Sequence, residues 1–278
     1  MPNKLKDLLK GKLTQKELSI IPSSYDIVGS ILIFSDFPKE LAKKERIIGE
    51  TLLDLHKNIK TVCKKTRKYS GKYRTPKLKI IAGEKTKETM HKENNSRLKL
   101  DVEKVYFSSR LSTERKRIFG QIKKNESVLT MFSGCGAYPI TIARNSNAKE
   151  VYGIEINPIA HKYALENLKL NKVEDKINLY LGDARKIMPK ISKKFDRILM
   201  PLPKGAESYL DLALNKSKNK GMIHFYTFAE EDNYEPTTKA IIKKCEKQKK
   251  KCKILGIVKC GQFSPGVFRI CVDFKVSW

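Results

Sequence analysis

The 278-residue sequence predicts an α/β protein: a mostly parallel sheet with helices on both faces, preceded by a smaller α+β domain. Three observations carry this. From residue 126 on, short apolar runs alternate with helical segments, the rhythm of a sheet wound with helices. A Gly134-Cys135-Gly136 turn closes the first of those runs where a helix begins. Ahead of it, strands and helices mix without a βαβ rhythm, so the boundary is set at 116/117, giving domains 1–116 and 117–278.

In the first domain, 24–28 and 31–34 read as one or two strands. Residues 45–64 place Ile47, Ile48, Leu52, Leu53, Leu55 and Ile59 at helical spacing, which predicts a helix with one buried face. A short strand over 78–82 ends in Gly83-Glu84. In the second domain the expected order is strand 127–132, helix 139–143, strand 150–156, helix 158–169, strand 177–181 and strand 196–200. Two more strands, 222–228 and 267–274, flank a very basic helix over 238–253. No internal repeat is visible.

Composition narrows the partners. Lys and Arg number 58 against 30 Asp and Glu, a formal charge of +28. Such an excess points to a polyanion, because cations set near phosphates release condensed counterions. A need for solubility is the plainer explanation of the same number. No apolar run is long enough for a bilayer span, and the basic start does not suit a signal peptide, so a cytoplasmic protein with no membrane partner is expected. The six cysteines, at 63, 135, 245, 252, 260 and 271, form no C-x-x-C pair. Neither a metal site nor a disulfide frame is expected.

The cations are unevenly spread. Residues 60–79 hold nine Lys or Arg and no acid, with Tyr69 and Tyr73 among them. Cations interleaved with aromatics suit a surface that holds phosphates and stacks a base. A solvated loop would look the same. Lys64, Lys65, Arg67, Lys68 and Lys72, with Arg110 and Lys204 elsewhere, are the RNA-binding candidates.

The strongest signal is a strand followed by Phe132-Ser133-Gly134-Cys135-Gly136 and a helix. Two glycines one residue apart let a backbone come close to a ligand at a helix start. The next strand ends in Glu155-Ile156, with Glu155 placed 19 residues beyond Gly136, near the spacing at which an acid reaches a ribose diol. The third ends in Gly182-Asp183-Ala184 and the fourth in Pro201-Leu202-Pro203. Ligands of open α/β sheets bind along that carboxyl edge. A nicotinamide dinucleotide would want a third small residue where Pro139 stands. S-adenosylmethionine (AdoMet) is therefore the expected cofactor. Asp183 also suits a plain helix N-cap.

One further segment is specific: Val105-Tyr106-Phe107-Ser108-Ser109-Arg110-Leu111-Ser112-Thr113-Glu114-Arg115. Together with Tyr73-Arg74-Thr75-Pro76 upstream and the strand ends downstream, it makes the chain resemble the archaeal and eukaryotic tRNA (guanine-37-N1)-methyltransferases, from about Pro22 onward. The resemblance implies a class I Rossmann-like methyltransferase domain, a monomer, and a tRNA anticodon stem-loop as partner. Family members often carry an additional domain for the outer corner of tRNA, and this chain looks like a form without it. The resemblance makes Glu114 the general base, Arg74 the guanidinium at guanine O6 and Tyr106 an aromatic that helps hold cofactor and base. It gives Arg115, Phe132, Glu155, Ile156, Asp183 and Ala184 to the cofactor. Taken alone, Glu114 reads as a surface helix acid paired with Lys116 or Arg117.

There is one departure. The family's fourth strand end reads Asn-Leu-Pro, whereas Pro201 here offers a carbonyl but no side-chain donor. The base would then be held by the Pro201 or Leu202 carbonyl, or by Glu207. Two wyosine-pathway reactions at the same position, C7 methylation of the tricyclic precursor and aminocarboxypropyl transfer, are the enzymatic alternatives. A non-catalytic basic RNA-binding protein is the alternative of another class.

Overall fold

The computed structural model describes residues 2–278, which divide into two compact units. One comprises the residues up to Lys92 together with Arg97–Ser109; the other comprises Glu93–Ser96 and Arg110–Trp278. The chain thus visits the second unit at Glu93–Ser96 and stays in it from Arg110 on, where the sequence reading set the boundary at 116/117.

The first unit opens with α1 (Pro2–Leu8) and α2 (Gln15–Ser19), the latter started by a capping box between Thr14 and Glu17. Strands β1 (Asp26–Val28) and β2 (Ile31–Phe34) pair antiparallel. Helix α3 (Glu45–Leu55) then crosses to β3 (Thr61–Ser70), which runs parallel to β2, and β4 (Thr75–Gly83) returns antiparallel along β3. So the first unit does hold one βαβ step. The helix expected over 45–64 stops at Leu55. β-Branched Thr61 and Val62 instead join the sheet opposite Ile31 and Leu32, while Ile59 packs into the core from a loop. The basic stretch 60–79 is mostly a β-hairpin rather than a loop.

The hairpin of β5 (Glu88–Glu93) and β6 (Ser96–Asp101) turns at Asn94-Asn95, both at positive φ (42° and 57°). This is the twist that two-residue hairpins need and that Asn tolerates.

The second unit begins with α4 (Ser112–Gly120), then alternates β7 (Ser127–Met131), α5 (Ala137–Asn145), β8 (Glu150–Glu155), α6 (Pro158–Asn171), β9 (Ile177–Leu181), α7 (Ala184–Ile187), β10 (Phe195–Met200), α8 (Leu210–Lys216) and β11 (Ser217–Glu230). Helix α9 (Glu235–Lys247), β12 (Lys251–Ser264) and β13 (Val267–Ser277) complete it. The seven strands lie in the order β12-β13-β11-β10-β7-β8-β9. β9, β8, β7, β10 and β11 are parallel, and β13 runs antiparallel between β11 and β12. Every residue of β7 is buried, as a central parallel strand covered on both faces requires.

The basic helix expected over 238–253 ends at Lys247, and Lys251 already belongs to β12. The run of lysines conceals a change of period. Lys251, Lys253 and Leu255 are exposed while Cys252 and Ile254 turn inward, the alternation of a strand.

Candidate active site

The four strand ends singled out in the sequence meet along one edge of the second unit. β7, β8, β9 and β10 are parallel neighbours, and Phe132, Glu155, Gly182 and Pro201 stand at or just past their carboxyl ends. Glu155 is buried, and its carboxylate accepts the N–H of Gly134 at 2.7 Å and of Asn157 at 2.7 Å, one on each oxygen. Burial pushes its proton affinity up while those backbone donors act against that. Each oxygen keeps lone-pair capacity, as holding two ribose hydroxyls requires.

Phe132 sits at φ 59°, uncommon for a bulky residue, with its ring edge-on to Tyr209 at 4.9 Å. The Ser133 hydroxyl is buried with no partner, so this edge carries unmet hydrogen-bonding capacity. Gly136 (φ 87°) packs against α5 and α6: a Cβ there would lie 2.8 Å from Ile140 Cδ1 and 3.4 Å from Ala164 Cβ. Asp183 is the N-cap of α7, accepting the N–H of Arg185 at 2.8 Å, and Ala184 beside it is buried.

Beyond β10 lies Pro201-Leu202-Pro203, and the Leu202 N–H donates back to Met200 O. Arg185 then reaches over the Tyr209 ring, 4.0 Å from its centroid, donating to the Tyr209 and Ser208 hydroxyls. Thr227, at the end of β11, donates to Glu207 at 3.3 Å. A buried carboxylate with spare acceptors, a free hydroxyl and aromatic walls suit an adenosine-bearing sulfonium better than a pyrophosphate.

Glu114 is not a surface acid. It is 5% exposed on α4, between helix and sheet. Arg117, one turn on, grips it bidentately, Nε to Oε2 at 2.7 Å and Nη2 to Oε1 at 2.7 Å. Tyr226 OH on β11 donates to Oε1 at 2.6 Å, and Tyr138 OH on α5 donates to Tyr226. Arg117 also bonds Asp273 on β13, whose carboxylate further accepts from His224 Nδ1 at 2.6 Å, Cys271 Sγ at 3.2 Å and Gln121 Nε2 at 3.4 Å. Arg197 on β10 donates to His224 Nε2 at 2.7 Å and pairs with Glu126 at 2.8 Å. These groups share a face because His224 pairs with Asp273 and Tyr226 with Cys271 in the β11–β13 register. Arg115, 2% exposed, is held bidentately by Glu93, at 2.6 Å through Nη2. Any donor contact it makes would share the guanidinium with that carboxylate.

The first unit holds the other candidates. Arg74 closes the β3–β4 hairpin at φ 51°, its N–H bonded to Gly71 O. Tyr106 packs edge-on to Tyr69 at 5.2 Å. Arg67, Lys68 and Lys72 are exposed along the outer hairpin, whereas Lys64 is only 16% exposed and pairs with buried Glu45 at 2.7 Å. Lys65 lies over the Tyr69 ring and bonds Ser35. Arg110 and Lys204 belong to the second unit.

Residues 89–255 match the TRM5/TYW2 methyltransferase domain, and residues 5–86 match the TYW2 N-terminal domain. The chain belongs to the TRM5/TYW2 methyltransferase family. The tRNA (guanine(37)-N(1))-methyltransferase Trm5b of Pyrococcus abyssi is 40% identical over 278 residues, all of this chain and 81% of that one. A structure of aTrm5 in complex with tRNALeu superposes with a TM-score of 0.83 at 33% identity, covering 98% of this chain and 77% of that one. The tRNA(Phe) (4-demethylwyosine(37)-C(7)) aminocarboxypropyltransferase of Methanocaldococcus jannaschii is 34% identical over 254 residues, 90% of this chain and 97% of that one.

This methyltransferase also contains functional geometry that sequence reasoning passed over. Tyr226, Asp273 and His224 lie in strands with no motif, and only the sheet register brings them beside Glu114. His224 and Asp273, alternating with apolar neighbours on buried strands, were the visible signal: buried strands place polar groups inward only where partners wait. His224, Cys271 and Asp273 also offer ligand atoms within 4.8 Å of one another. Two guanidiniums already bond His224 and Asp273, so their hydrogen-bonding capacity is spent inside the protein. Among the described residues all six cysteines are free, and burial pushes the thiols of Cys63 and Cys135 up to about 12. No helix of the described residues is long and apolar enough to cross a membrane.

Proposed function

We propose that this methyltransferase transfers the methyl group of AdoMet to N1 of guanosine 37 in tRNA. The observation that carries the reading is the buried Glu114 carboxylate, held by Arg117 and Tyr226 with acceptor capacity left on Oε2. Guanine N1 bears a proton and a delocalised lone pair, so it is a poor nucleophile until that proton leaves. Glu114 takes the proton at Oε2 as the N1–carbon bond forms and the carbon–sulfur bond breaks. The bound donor supplies an electrophilic methyl on a sulfonium.

Negative charge grows on O6 as the proton departs, and Arg74 is assigned to neutralise it. Glu155 would hold the ribose of a bound donor, and Phe132, Asp183 and Ala184 would line its adenosine. The exposed cations of the β3–β4 hairpin, Arg67, Lys68 and Lys72, hold the anticodon stem-loop by its phosphates. The target base leaves its stack to react, which is cheapest in a loop. Most of the remaining catalysis is alignment of N1, methyl carbon and sulfur.

Incubation with unmodified tRNA carrying G37 and labelled AdoMet, followed by nucleoside mass analysis, tests this. The expected product is 1-methylguanosine at position 37. An adduct with the mass of an aminocarboxypropyl group, or methylation only of a tRNA already bearing the tricyclic precursor, would replace the reading with one of the wyosine-pathway reactions. The second has a specific ground, the absence of a side-chain donor at Pro201.

A further inference from the structure

We infer that Asp273 and Tyr226 are positioning residues that set the proton-accepting strength of Glu114 through the guanidinium of Arg117. The inference deepens the proposed function and rests on Glu114 as the base. Arg117 serves two carboxylates at once. It grips Glu114 through Nε and Nη2, and it bonds Asp273 Oδ2 through Nη1 at 2.5 Å, with Nη2 also reaching Asp273 Oδ1 at 3.3 Å. Behind Asp273, the chain continues through His224 and Arg197 to Glu126.

His224 is uncharged in this chain, because Arg197 has no acceptor and can only donate to Nε2. Three carboxylates (Glu114, Asp273, Glu126) therefore face two guanidiniums (Arg117, Arg197), and the cluster carries one negative charge in excess. A proton arriving on Glu114 brings it to neutrality, which is the change a general base must undergo during catalysis. The two carboxylates sharing Arg117 are not equivalent. Burial works against the charged form of Asp273, but the bonds from His224 and Arg117 outweigh it and hold Asp273 well below the usual carboxylate range. Asp273 thus stays ionised beside Glu114, with Arg117 between them.

Asp273 is the carboxylate that shares Arg117 with Glu114, and the other groups gathered there are cations, hydroxyls and thiols. On the helix of Glu114 lie Arg115 and Arg117; from α5 comes Tyr138, from β11 Tyr226, from β12 Cys260, and from β13 Cys271 and Asp273. The tyrosines and thiols are all pushed up by burial and stay protonated. Tyr226 acts opposite to Asp273. It donates to the ionised carboxylate and favours that form, while Asp273 competes for Arg117 and disfavours it.

The opposition makes a signed test. Single-turnover methylation of unmodified G37 tRNA is followed against pH for the wild type, Asp273→Asn, Tyr226→Phe and Glu114→Gln, with AdoMet affinity measured alongside. Loss of the Asp273 charge leaves Arg117 to Glu114 alone, so the acidic limb of the rate moves to lower pH and the plateau falls. Loss of the Tyr226 hydroxyl moves the acidic limb to higher pH. Shifts in opposite directions at near wild-type AdoMet affinity support the inference. Limbs that stay where the wild type has them, or that move the same way in both variants, overturn it. Should Asp273→Asn fail to fold, the isosteric Tyr226→Phe decides alone: an upward shift supports, an unmoved limb overturns. Near wild-type turnover in Glu114→Gln would instead remove Glu114 as the base, a failure of the underlying reading that is seen separately.

Discussion

Arg197 donates to His224 Nε2 at 2.7 Å, and that single bond fixes the protonation of the ring. A guanidinium accepts nothing, so Nε2 is the acceptor and the proton sits on Nδ1, where it meets Asp273 at 2.6 Å. Burial agrees, since it pulls the proton affinity of His224 below its ordinary value of 6.5. In the unfolded chain the same ring charges near pH 6.5. Below that pH the unfolded state binds a proton that the folded state refuses, so stability falls as pH drops. Urea unfolding at pH 7.5, 6.5 and 5.5 is expected to show a loss approaching ~1.4 kcal/mol per pH unit below 6.5 from this group. Asp273 contributes only at lower pH, since its stabilisation is present above the unfolded carboxylate value of 3.8. His224→Asn is expected to start less stable yet show a flatter slope across this window, with His161, also held low by burial, supplying the remainder. An unchanged slope in that variant would mean the ring is charged in the folded protein.

Glu114→Gln keeps the shape of the side chain and removes its ability to take a proton. Methyl transfer is expected to drop on the order of 10²–10⁴-fold, the usual worth of a positioned base. Affinity for AdoMet is expected to hold, because Glu114 bonds Arg117 and Tyr226 rather than the strand ends proposed to face the donor. Rapid-quench assays and calorimetry on the same preparation separate the two quantities. A parallel fall in both would make Glu114 a structural acid.

Glu155 makes the contrary prediction. Its two oxygens hold the N–H groups of Gly134 and Asn157, which fixes the turn after β7 and the start of α6. Glu155→Gln leaves one acceptor oxygen and turns the other position into a donor facing an N–H. AdoMet binding should weaken by ~10-fold to 100-fold, as for loss of hydrogen bonds to a charged group worth about 1.5–3 kcal/mol. Calorimetric titration with AdoMet measures this directly, and an unchanged affinity would place the ribose elsewhere.

How much of this was legible follows from the range of the signals. The strand–turn–helix at 127–145 and the acid at Glu155 are local, and local patterns survive in one dimension. The β5–β6 hairpin went unread although Asn94-Asn95 marks its turn and Leu98 and Leu100 alternate with Arg97 and Lys99 in β6, because in β5 the buried residue is the polar Thr89 while Met90 faces out. β12 was absorbed into a basic helix, since the lysines of 243–253 carry no periodicity in hydrophobicity until Cys252 and Ile254 are seen to point inward. Glu114 could be named from its segment, but its partners Tyr226 and Asp273 stand over a hundred residues away and meet it only through the β11–β13 register. Charge counting within 60–79 also could not show that Lys64 is half-buried against the Glu45 carboxylate.

That lysine yields the last prediction. Lys64 lies at the inner end of the β3–β4 hairpin, 16% exposed, bonded to a Glu45 carboxylate that is itself buried and shared with Lys79. Arg67 and Lys72 are exposed farther out, with Lys72 over the ring of Tyr73. Lys64→Ala is expected to cost ~1–2 kcal/mol of stability, since it strips a buried carboxylate of one of its two cations, and to leave the salt dependence of tRNA binding as it was. Arg67→Ala and Lys72→Ala are expected to do the reverse. Each should leave stability within about 0.5 kcal/mol and lower the slope of log affinity against log salt by ~0.7–0.9, one phosphate contact apiece. Filter binding of unmodified tRNA from low to moderate salt, with thermal melts of the same variants, reads both quantities. A flatter slope for Lys64→Ala, or none for the outer pair, would show that the hairpin's exposed cations are not where the RNA backbone lies.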